Sequence, residues 1–520
     1  MNRHQPGTSG ADAVLATAAA AEINFCFANP GTTEMPLVAA LARQRAIRPV
    51  LCLFEGVCSG AADGYARVAG KPALTLTHLG PGFANAIANL HNARRGRSPI
   101  VNLVGEHATW HLPFDAPLNS DIAGLARSVS AYVGTIESPA DAPAKMREAI
   151  SAACVPPGQV ATLIFPMDHQ QGDAGPISHA AQPRTALPVV DPEQIDAVAA
   201  RLRGAAQPLL LLGGAGLTAR GQRAAQRIAG HCGARLISET FPSTSDRGGG
   251  LPSVPRLPYF PEPAIALLAA HAPIVLAGAR EPVSFFGYAG LPSATAPPGT
   301  TIVLAGPTED AAEALERLAA LLKAPAFAPT VADLPAAPSA TATLTPDAVA
   351  AALVPRIPEG AVVVVEGGTL GYPYFGSAAA ARSHRAICLS GGSIGFAPPA
   401  ALGAALANEG RPVIALTGDG AAAYTSQALW SIAREGLPVI VCIAANRTYN
   451  IVRTELQRAG VAIDGHAAAL TGLNAPPIDW VALARGYGVP GQRAETFEEL
   501  TAVLDRALSA QSPHLIEVGL

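Results

Sequence analysis

Asp419 and Asn446 have the residue types and the spacing of a metal and phosphate site. Asp419 stands between two glycines at the end of the apolar run PVIALTGDG, and Asn446 ends the next run, LPVIVCIAAN. The segment AAAYTSQALWSIAREG, predicted as one helix closed by Gly436, joins them, so both residues are expected at the same edge of a parallel sheet. Carboxylate and amide oxygens suit Mg²⁺, and glycines let the backbone approach a phosphate. G-D-G alone is typical of a tight turn, but the second ligand after an intact strand–helix–strand unit favours the metal site.

Two further glycine-rich strand ends lie upstream in the same block, EGGTLG at 366–371 and LSGGSIG at 389–395. Within the second, Ile394 is a single bulky side chain among glycines and serines. It would plug a core if its role is structural, or press against a bound cofactor if its role is functional. The block has no complete G-x-G-x-x-G with a downstream acid, so a dinucleotide site is poorly supported.

Glu55 is a single carboxylate at the end of an apolar run, in VLCLFEGVCSGAADGYAR at 50–67. Such a run is expected to be buried, and a buried carboxylate is costly unless it has a partner. No lysine or arginine follows it until Arg67. The sequence therefore predicts that Glu55 bonds to something other than a neighbouring cation.

The elements that must position these residues are short apolar runs that alternate with helical patterns along all 520 residues. Continuous apolar runs of this kind are typical of parallel sheets buried on both faces. Proline- and alanine-rich segments at 171–192 and 323–347 are predicted linkers. The expected fold class is therefore α/β, with three domains that each contain a mostly parallel sheet flanked by helices.

Composition narrows the classes of partner. The net charge is -4 and aromatic residues make up 5%, which gives no reason to expect a nucleic-acid partner. No run approaches the ~18 apolar residues of a membrane span, and ADAVLATAAAAEI is interpreted as a first helix rather than a signal segment. The seven cysteines are scattered without a C-x-x-C pair, which indicates reduced core thiols and a cytoplasmic protein.

The G-D-G motif and its asparagine resemble the cofactor motif of thiamine diphosphate-dependent enzymes. From about residue 12 to 520, the chain looks like the group of acetolactate synthase, benzoylformate decarboxylase and pyruvate decarboxylase, and most like acetolactate synthase large-subunit-like proteins. The resemblance implies a pyrimidine-binding domain at 1–175, a Rossmann-like middle domain at 190–325 and a pyrophosphate-binding domain at 345–520. The two outer domains would share the thiamine diphosphate-binding fold.

The resemblance also implies cofactors, site residues and an assembly. Mg²⁺ would be held by Asp419, Asn446 and the Thr448 carbonyl. Glu55 would be the catalytic glutamate that shares a proton with the cofactor's pyrimidine ring, with Thr32 as an active-site hydroxyl and His78 as a catalytic histidine. The residues expected around thiamine diphosphate are Gly368, Thr369, Gly392, Ile394, Gly418, Gly420, Ala421 and Tyr449. The glutamate of one subunit would reach the cofactor of another, in a homodimer or homotetramer.

Several positions depart from the family pattern. Thr454-Glu455 stands where acetolactate synthases typically have Gln-Trp, and Phe285 or Phe286 stands near the second histidine of benzoylformate decarboxylases. His107 and His111 are further catalytic candidates, in a region where pyruvate decarboxylases carry histidines at a different spacing. His91 and His384 are interpreted as structural. The run LLLLGGAGL fits an FAD site, but equally the glycine turn of members without flavin.

The expected activity is decarboxylation of a small 2-oxo acid, with transfer of the activated aldehyde to a proton or to a second carbonyl, as in acetolactate synthases. One alternative is a non-ligating decarboxylase of an aromatic or branched 2-oxo acid, similar to benzoylformate decarboxylases. An alternative of another class is a regulatory homologue that binds thiamine diphosphate without catalysis. Glu55, Asp419 and Asn446 favour an enzyme, a C–C lyase or transferase, over that last alternative.

Overall fold

Three sheets flanked by helices carry the fold, as seen in a computed structural model that describes residues 8–175 and 186–520. The predicted α/β class with three mostly parallel sheets is confirmed. Part of the predicted linker at 171–192 lies outside the described residues. The segment at 324–340 is irregular, in agreement with the second predicted linker. None of the described helices has the length and apolar character needed to cross a membrane.

The N-terminal sheet has six parallel strands in the order β2-β1-β3-β4-β6-β5. Its strands and helices are α1 (Gly10–Ala20), β1 (Phe25–Asn29), α2 (Met35–Arg43), β2 (Arg48–Leu51), α3 (Glu55–Ala69), β3 (Ala73–Thr77), α4 (Leu79–Gly96), β4 (Ile100–Glu106), α5 (Ile122–Arg127), β5 (Tyr132–Thr135), α6 (Ala142–Ala153), β6 (Val160–Pro166) and α7 (Met167–Gln171). The first helix is the segment interpreted as a helix from sequence.

The middle sheet has four parallel strands in the order β11-β10-β7-β8. The elements of this block are α8 (Pro192–Leu202), β7 (Leu209–Leu212), α9 (Ala219–Cys232), β8 (Arg235–Ser238), β9 (Thr244–Arg247), α10 (Pro261–Ala269), β10 (Ile274–Ala277), β11 (Thr301–Ala305) and α11 (Ala311–Leu321). Strand β9 does not join this sheet. It pairs antiparallel with β13 of the third sheet, through Arg247 opposite His384.

The third sheet has seven strands in the order β16-β17-β15-β14-β12-β13-β9. Its own block supplies α12 (Pro346–Leu353), β12 (Val362–Val365), α13 (Gly371–Ser377), β13 (His384–Cys388), α14 (Ala397–Ala407), β14 (Val413–Gly418), α15 (Asp419–Ala422), α16 (Ala428–Arg434), β15 (Val439–Ala445), α17 (Asn450–Arg458), α18 (Gly465–Thr471), α19 (Trp480–Gly486), β16 (Gly491–Ala494), α20 (Phe497–Ala510) and β17 (His514–Gly519).

The prediction of one helix after G-D-G, closed by Gly436, is wrong in one respect. The segment forms two short helices, α15 and α16, separated by a turn at 423–427. In that turn the Thr425 hydroxyl donates to the carbonyl of Gly395 at 3.0 Å, and this tertiary bond outweighs the helical propensity of the local sequence. Gly436 lies just beyond α16 with φ +62°, as its predicted role at the helix end requires.

Small residues let the N-terminal and C-terminal blocks approach closely. Helix α3 packs on α14, where a Cβ at Gly64 would overlap the carbonyl oxygen of Ala400 and a Cβ at Gly403 would overlap that of Ala61. Both helices are buried along their lengths. This contact fixes the first residues of α3 and α14, and therefore the two loops that carry the predicted site residues.

Candidate active site

Glu55 is the first residue of α3 and follows the end of β2. Its side chain is buried, with 7% of the residue exposed, and Asn85 Nδ2 donates to Glu55 Oε2 at 3.0 Å. Among the residues that the structure describes, no lysine, arginine or histidine forms an ion pair with it. The side-chain hydrogen-bond partner that the structure shows for Glu55 is thus a neutral amide.

His78 lies beside Glu55 at the end of β3. A Cβ placed on Gly82, in the first turn of α4, would lie 2.9 Å from Glu55 Oε1 and 3.2 Å from His78 Cβ. The missing side chain at Gly82 thus allows the carboxylate and the histidine to approach a common space. The structure brings together two catalytic candidates that are separated in the chain by helix α3 and strand β3.

The loop after β1 contributes a residue that the sequence analysis missed. Glu34 is fully buried and lies against His78, with Glu34 Oε2 2.8 Å from His78 Nδ1. Thr33 is buried and donates its hydroxyl to Glu34 Oε1 at 2.6 Å, whereas Thr32, the predicted active-site hydroxyl, is exposed. An acid five positions beyond a strand end was the available signal for Glu34, but nothing local linked it to a histidine.

His107 and His111 follow β4 and lie near the same end of the sheet. Their ring centroids are 5.4 Å apart. Burial lowers the pKa of His107, and the nearby His111 and His78 lower it further. Burial also raises the pKa of the Glu106 carboxyl, which accepts the His107 N–H at 2.7 Å. The three candidate histidines are therefore close enough for their charges to interact. We refer to Thr32, Glu34, Glu55, His78, His107 and His111 as the N-terminal half-site.

Asp419 and Asn446 follow the adjacent strands β14 and β15, which pair Gly418 with Ala444. Asp419 Oδ2 accepts the Arg447 N–H at 2.7 Å and Oδ1 accepts the Gly420 N–H at 2.8 Å. Burial raises the pKa of the Asp419 carboxyl, and these two N–H donors oppose the shift. Asn446 Oδ1 accepts the Thr448 N–H at 3.0 Å, so the Asn446 amide oxygen points toward the backbone of Thr448, two residues further along the loop.

The oxygen atoms of Asp419, Asn446 and the Thr448 carbonyl are of the kind that binds Mg²⁺. Within residues 8–175 and 186–520, no cluster of three or more His, Cys, Asp or Glu side chains is arranged to hold a metal. One carboxylate, one amide oxygen and one carbonyl suit an ion that completes its shell with phosphate oxygens and water. A Cβ at Gly418 or Gly367 would meet no atom within 4 Å, which leaves open space beside both loops. The strand ends that carry Asp419 and Asn446 thus have both oxygen ligands for a metal and room for an anion.

A buried carboxylate fixes the loop that carries Gly392 and Ile394. Glu366 accepts N–H groups from Gly395, Phe396 and Ala397 at 2.6 to 2.9 Å and the Thr417 hydroxyl at 2.9 Å. Burial raises the pKa of Glu366, whereas these donors lower it. The sequence analysis missed this residue, although an acid directly after the VVVV strand was a usable signal.

The other predicted cofactor residues surround the same strand ends. Gly368 and Thr369 lie in the turn after β12, and Ala421 lies in α15. The Tyr449 ring covers Gly420 so closely that a Cβ there would be 2.5 Å from it. Ile394 is half-buried and packs against the core between the two blocks. We refer to Gly368, Thr369, Gly392, Ile394, Gly418, Asp419, Gly420, Ala421, Asn446, Thr448 and Tyr449 as the C-terminal half-site.

The positions that depart from the family pattern have structural partners. Glu455 accepts the Tyr288 hydroxyl at 2.8 Å and pairs with Arg458, while the Thr454 hydroxyl donates to a backbone carbonyl of its own helix. Phe285 lies against the C-terminal half-site, since a Cβ on Gly392 would be 2.7 Å from its ring. An aromatic ring therefore lies beside Gly392, in the region that corresponds to the second histidine of benzoylformate decarboxylases.

A cavity of about 650 Å³ lies where the three blocks meet. The glycine turn after β7 lines it through Gly214 and Ala215, together with Glu239, Arg97 and Arg280. Burial raises the pKa of Glu239 to about 7. FAD at this turn stays an open prediction.

Helix α4 links the two half-sites within one chain. Asn89 Nδ2 donates to the carbonyls of Gly56 at 2.9 Å and Gly395 at 3.0 Å, the residues that follow Glu55 and Ile394. Asn92 donates to the carbonyl of Ser393 at 2.8 Å. The backbones that carry the two half-sites are thus held in a fixed relation.

Comparison with known proteins identifies the family of the chain. Residues 8–124 match the family model "Thiamine pyrophosphate enzyme, N-terminal TPP binding domain", and residues 374–518 match the corresponding C-terminal TPP binding domain. The chain is 44% identical over 513 residues, 98% of each chain, to a Mycobacterium tuberculosis protein named "Putative acetolactate synthase large subunit IlvX". It is 30% identical to benzoylformate decarboxylase of Pseudomonas aeruginosa, over 95% of each chain.

A solved structure shares the whole architecture. The thiamine diphosphate-dependent 4-hydroxybenzoylformate decarboxylase of Rhodococcus jostii RHA1 superposes with a TM-score of 0.87 at 27% identity, over 98% of this chain and 99% of that one. The outer blocks that carry the half-sites are the regions matched by the two family models. The chain belongs to the thiamine pyrophosphate enzyme family.

Proposed function

We propose that the enzyme decarboxylates a small 2-oxo acid and passes the resulting activated aldehyde to a proton or to a second carbonyl. The observation that carries this proposal is the convergence of Glu55 and His78 beside Gly82. When bound, thiamine diphosphate supplies the nucleophilic carbon and the electron sink that cleavage next to a carbonyl requires. In this proposal Asp419, Asn446 and the Thr448 carbonyl would hold Mg²⁺, whose positive charge would suit a diphosphate.

Residues of the chain itself would transfer the protons of the reaction. In this proposal Glu55 shares a proton with the cofactor's pyrimidine ring, and its only described side-chain hydrogen bond comes from Asn85, a neutral donor. A cation at that place would form an ion pair with Glu55 and hold the carboxylate away from the proton that it must share. His78, with His107 and His111 near it, exchanges protons with the substrate in this proposal.

Glu55→Gln tests the proposal. The amide keeps the size of the side chain but cannot exchange a proton, so CO₂ release from a panel of 2-oxo acids is expected to fall at least about 100-fold. Thiamine diphosphate affinity, measured by calorimetry, is expected to change little. A Glu55→Gln variant with full activity would contradict the role given to Glu55. Tight cofactor binding by the wild type without turnover of any 2-oxo acid would support the regulatory alternative.

A non-ligating decarboxylase of an aromatic or branched 2-oxo acid is the second candidate. Phe285 lies beside Gly392 and packs on Phe241, Tyr259 and Phe286, with ring centroids 5.6, 5.3 and 4.9 Å away. A wall of aromatic rings suits a large apolar substituent on the 2-oxo acid better than the small methyl group of pyruvate. Comparing product formation from pyruvate and from benzoylformate separates the candidates. Stoichiometric flavin in the purified protein would favour the synthase.

We further propose that the enzyme acts as a homodimer or homotetramer in the cytoplasm. Four apolar side chains are exposed near the N-terminal half-site: Met35 at 46%, Leu53 at 44%, Trp110 at 70% and Phe114 at 75%. Clustered exposed apolar groups of this size mark surfaces that bind another protein. No disulfide is seen among the cysteines of the described residues, which supports a reducing compartment.

A further inference from the structure

Glu34 is surrounded by hydrogen-bond donors although it lies in a buried loop. Its carboxylate accepts the Gly31 N–H at 2.7 Å and the Thr33 hydroxyl at 2.6 Å, and Glu34 Oε2 lies 2.8 Å from His78 Nδ1. The residue has no exposed surface. A buried carboxylate with this many partners is held in one orientation, and the histidine beside it is held with it.

Two glycines make room for the pair. A Cβ on Gly31 would overlap the His78 ring, and a Cβ on Gly105 would overlap the Glu34 carboxylate. Gly31 lies before the 3₁₀ turn at 32–34, and Gly105 lies on β4. Two separate elements therefore lack side chains at the places where the carboxylate and the imidazole must fit.

The backbone next to His78 is strained. Leu79, fully buried, has φ +50°, in the left-handed region that a bulky side chain rarely adopts. Such a conformation costs free energy and persists where the surrounding structure imposes it, which is common at functional sites. Here the strain immediately follows the residue whose ring is fixed by Glu34.

We propose that Glu34 is a positioning residue that fixes the tautomer and orientation of His78. The carboxylate that accepts from Gly31 and Thr33 also accepts from His78, so the Nδ1 atom carries a hydrogen. The Nε2 atom of the neutral imidazole is then the free acceptor, directed away from Glu34. The proposal rests on the proposed function, because it assigns to His78 the proton exchange described there.

Histidine NMR on the full-length holoenzyme tests the tautomer directly. In protein labelled with ¹⁵N-histidine, the signals lost in His78→Ala identify His78, and their pattern is expected to report protonation at Nδ1. Glu34→Leu is expected to remove that pattern, because it takes away the acceptor of the Nδ1 hydrogen. Persistence of the Nδ1–H pattern in Glu34→Leu would overturn the proposal.

Kinetics supply the second readout. Glu34→Leu is expected to lower kcat between about 10-fold and about 10⁴-fold, the range seen when a group that orients a histidine is lost, with KM and cofactor affinity nearly unchanged. In a His78→Ala background the same substitution is expected to cost nothing further, because Glu34 acts through His78. Additive losses in the double variant would contradict the proposal.

Two variants guard against misinterpretation. Thr33→Val removes a donor from the same carboxylate, together with the Thr33 hydroxyl that lies 3.3 Å from His78 Nδ1, and leaves Glu34 as the acceptor. It is therefore expected to keep the Nδ1–H pattern. Gly105→Ala displaces the carboxylate without removing it, and should lose the pattern as Glu34→Leu does, which provides the test if Glu34→Leu fails to fold. Absence of 2-oxo acid turnover in the wild type would refute the proposed function, while the NMR result would still decide the role of Glu34.

Discussion

At the scale of single residues, two histidines of this enzyme have different environments. His78 is half-buried and faces a carboxylate, whereas His384 is 4% exposed and its described hydrogen-bond partners are neutral. His384 Nδ1 lies 2.7 Å from the carbonyl of Arg382, to which it donates, and Nε2 lies 2.7 Å from the Tyr374 hydroxyl, from which it accepts. An Nε2 atom that accepts carries no hydrogen, so with Nδ1 as the donor the ring is neutral, in agreement with the structural role predicted for His384.

His384 is expected to make folding stability depend on pH. Burial lowers the pKa of the folded His384 to about 4, against an ordinary value of 6.5. Between these values the unfolded chain binds a proton that the folded chain does not, so the free energy of unfolding falls as pH decreases from about 6.5 to about 4. The contribution is at most about 3 kcal/mol. Urea unfolding of wild type and His384→Gln at pH 5 and 7.5 measures it.

The variant should be less stable at pH 7.5, because it loses a well-packed ring, yet it should lose less stability on acidification than the wild type. His466→Gln is the matched control, since His466 is exposed in α18 and its removal should leave the pH dependence unchanged. Equal acid sensitivity of wild type and His384→Gln would show that His384 does not contribute.

At the scale of elements, the contact between α3 and α14 depends on glycine. A Cβ on Gly403 would overlap backbone atoms of Ala61 and approach the Tyr65 nitrogen at 2.7 Å, so no side-chain rotation can relieve it. Gly403→Ala is expected to lower the free energy of unfolding by about 3 kcal/mol, as overpacking does when the backbone must shift. Thermal and urea unfolding measure the change.

Gly486→Ala is the control for that substitution. Gly486 ends α19, and a Cβ there would meet no atom within 4 Å. Alanine in this position should leave stability unchanged or raise it by about 0.5–1 kcal/mol, because glycine loses more backbone entropy on folding. If both variants behaved alike, close helix packing would not be the reason for glycine at 403.

The sequence patterns of the individual strands explain how much of the fold and the site could be predicted from the sequence alone. Buried parallel strands were predictable because they are continuous apolar runs, and the strand ends then located Asp419 and Asn446. Strand β9, with the sequence TSDR, has no apolar pattern, so its place in the third sheet could not be predicted. Glu34 was missed because its partner lies 44 positions away, and only the paired strands β1 and β3 bring them together.

At the scale of the whole molecule, the proposed assembly predicts complementation between inactive subunits. If Glu55 of one subunit serves the C-terminal half-site of another, Glu55→Gln and Asp419→Ala subunits should each be inactive alone. Mixed after dissociation, they should regain about a quarter of wild-type activity, because half of the dimers would be mixed and each would contain one intact site. Enzyme assay and analytical ultracentrifugation of the mixture measure the recovery.

Lack of recovery despite confirmed mixed dimers would place both half-sites of one active centre on the same chain, where Asn89 already bridges Gly56 and Gly395. A second control mixes Glu55→Gln with His78→Ala. Both residues belong to the N-terminal half-site, so this mixture should remain inactive in either arrangement.

Strand β9 has a consequence for dissecting the chain. Because this strand leaves the middle block and closes one edge of the third sheet, a fragment cut at the linker would expose the hydrogen-bonding groups of β13. Unprotected sheet edges invite pairing with other chains and aggregation. The middle block therefore cannot be exchanged on its own. A chimaera with a foreign middle block needs a strand from that block that pairs with β13 as β9 does. Without such a strand, the C-terminal block is expected to aggregate.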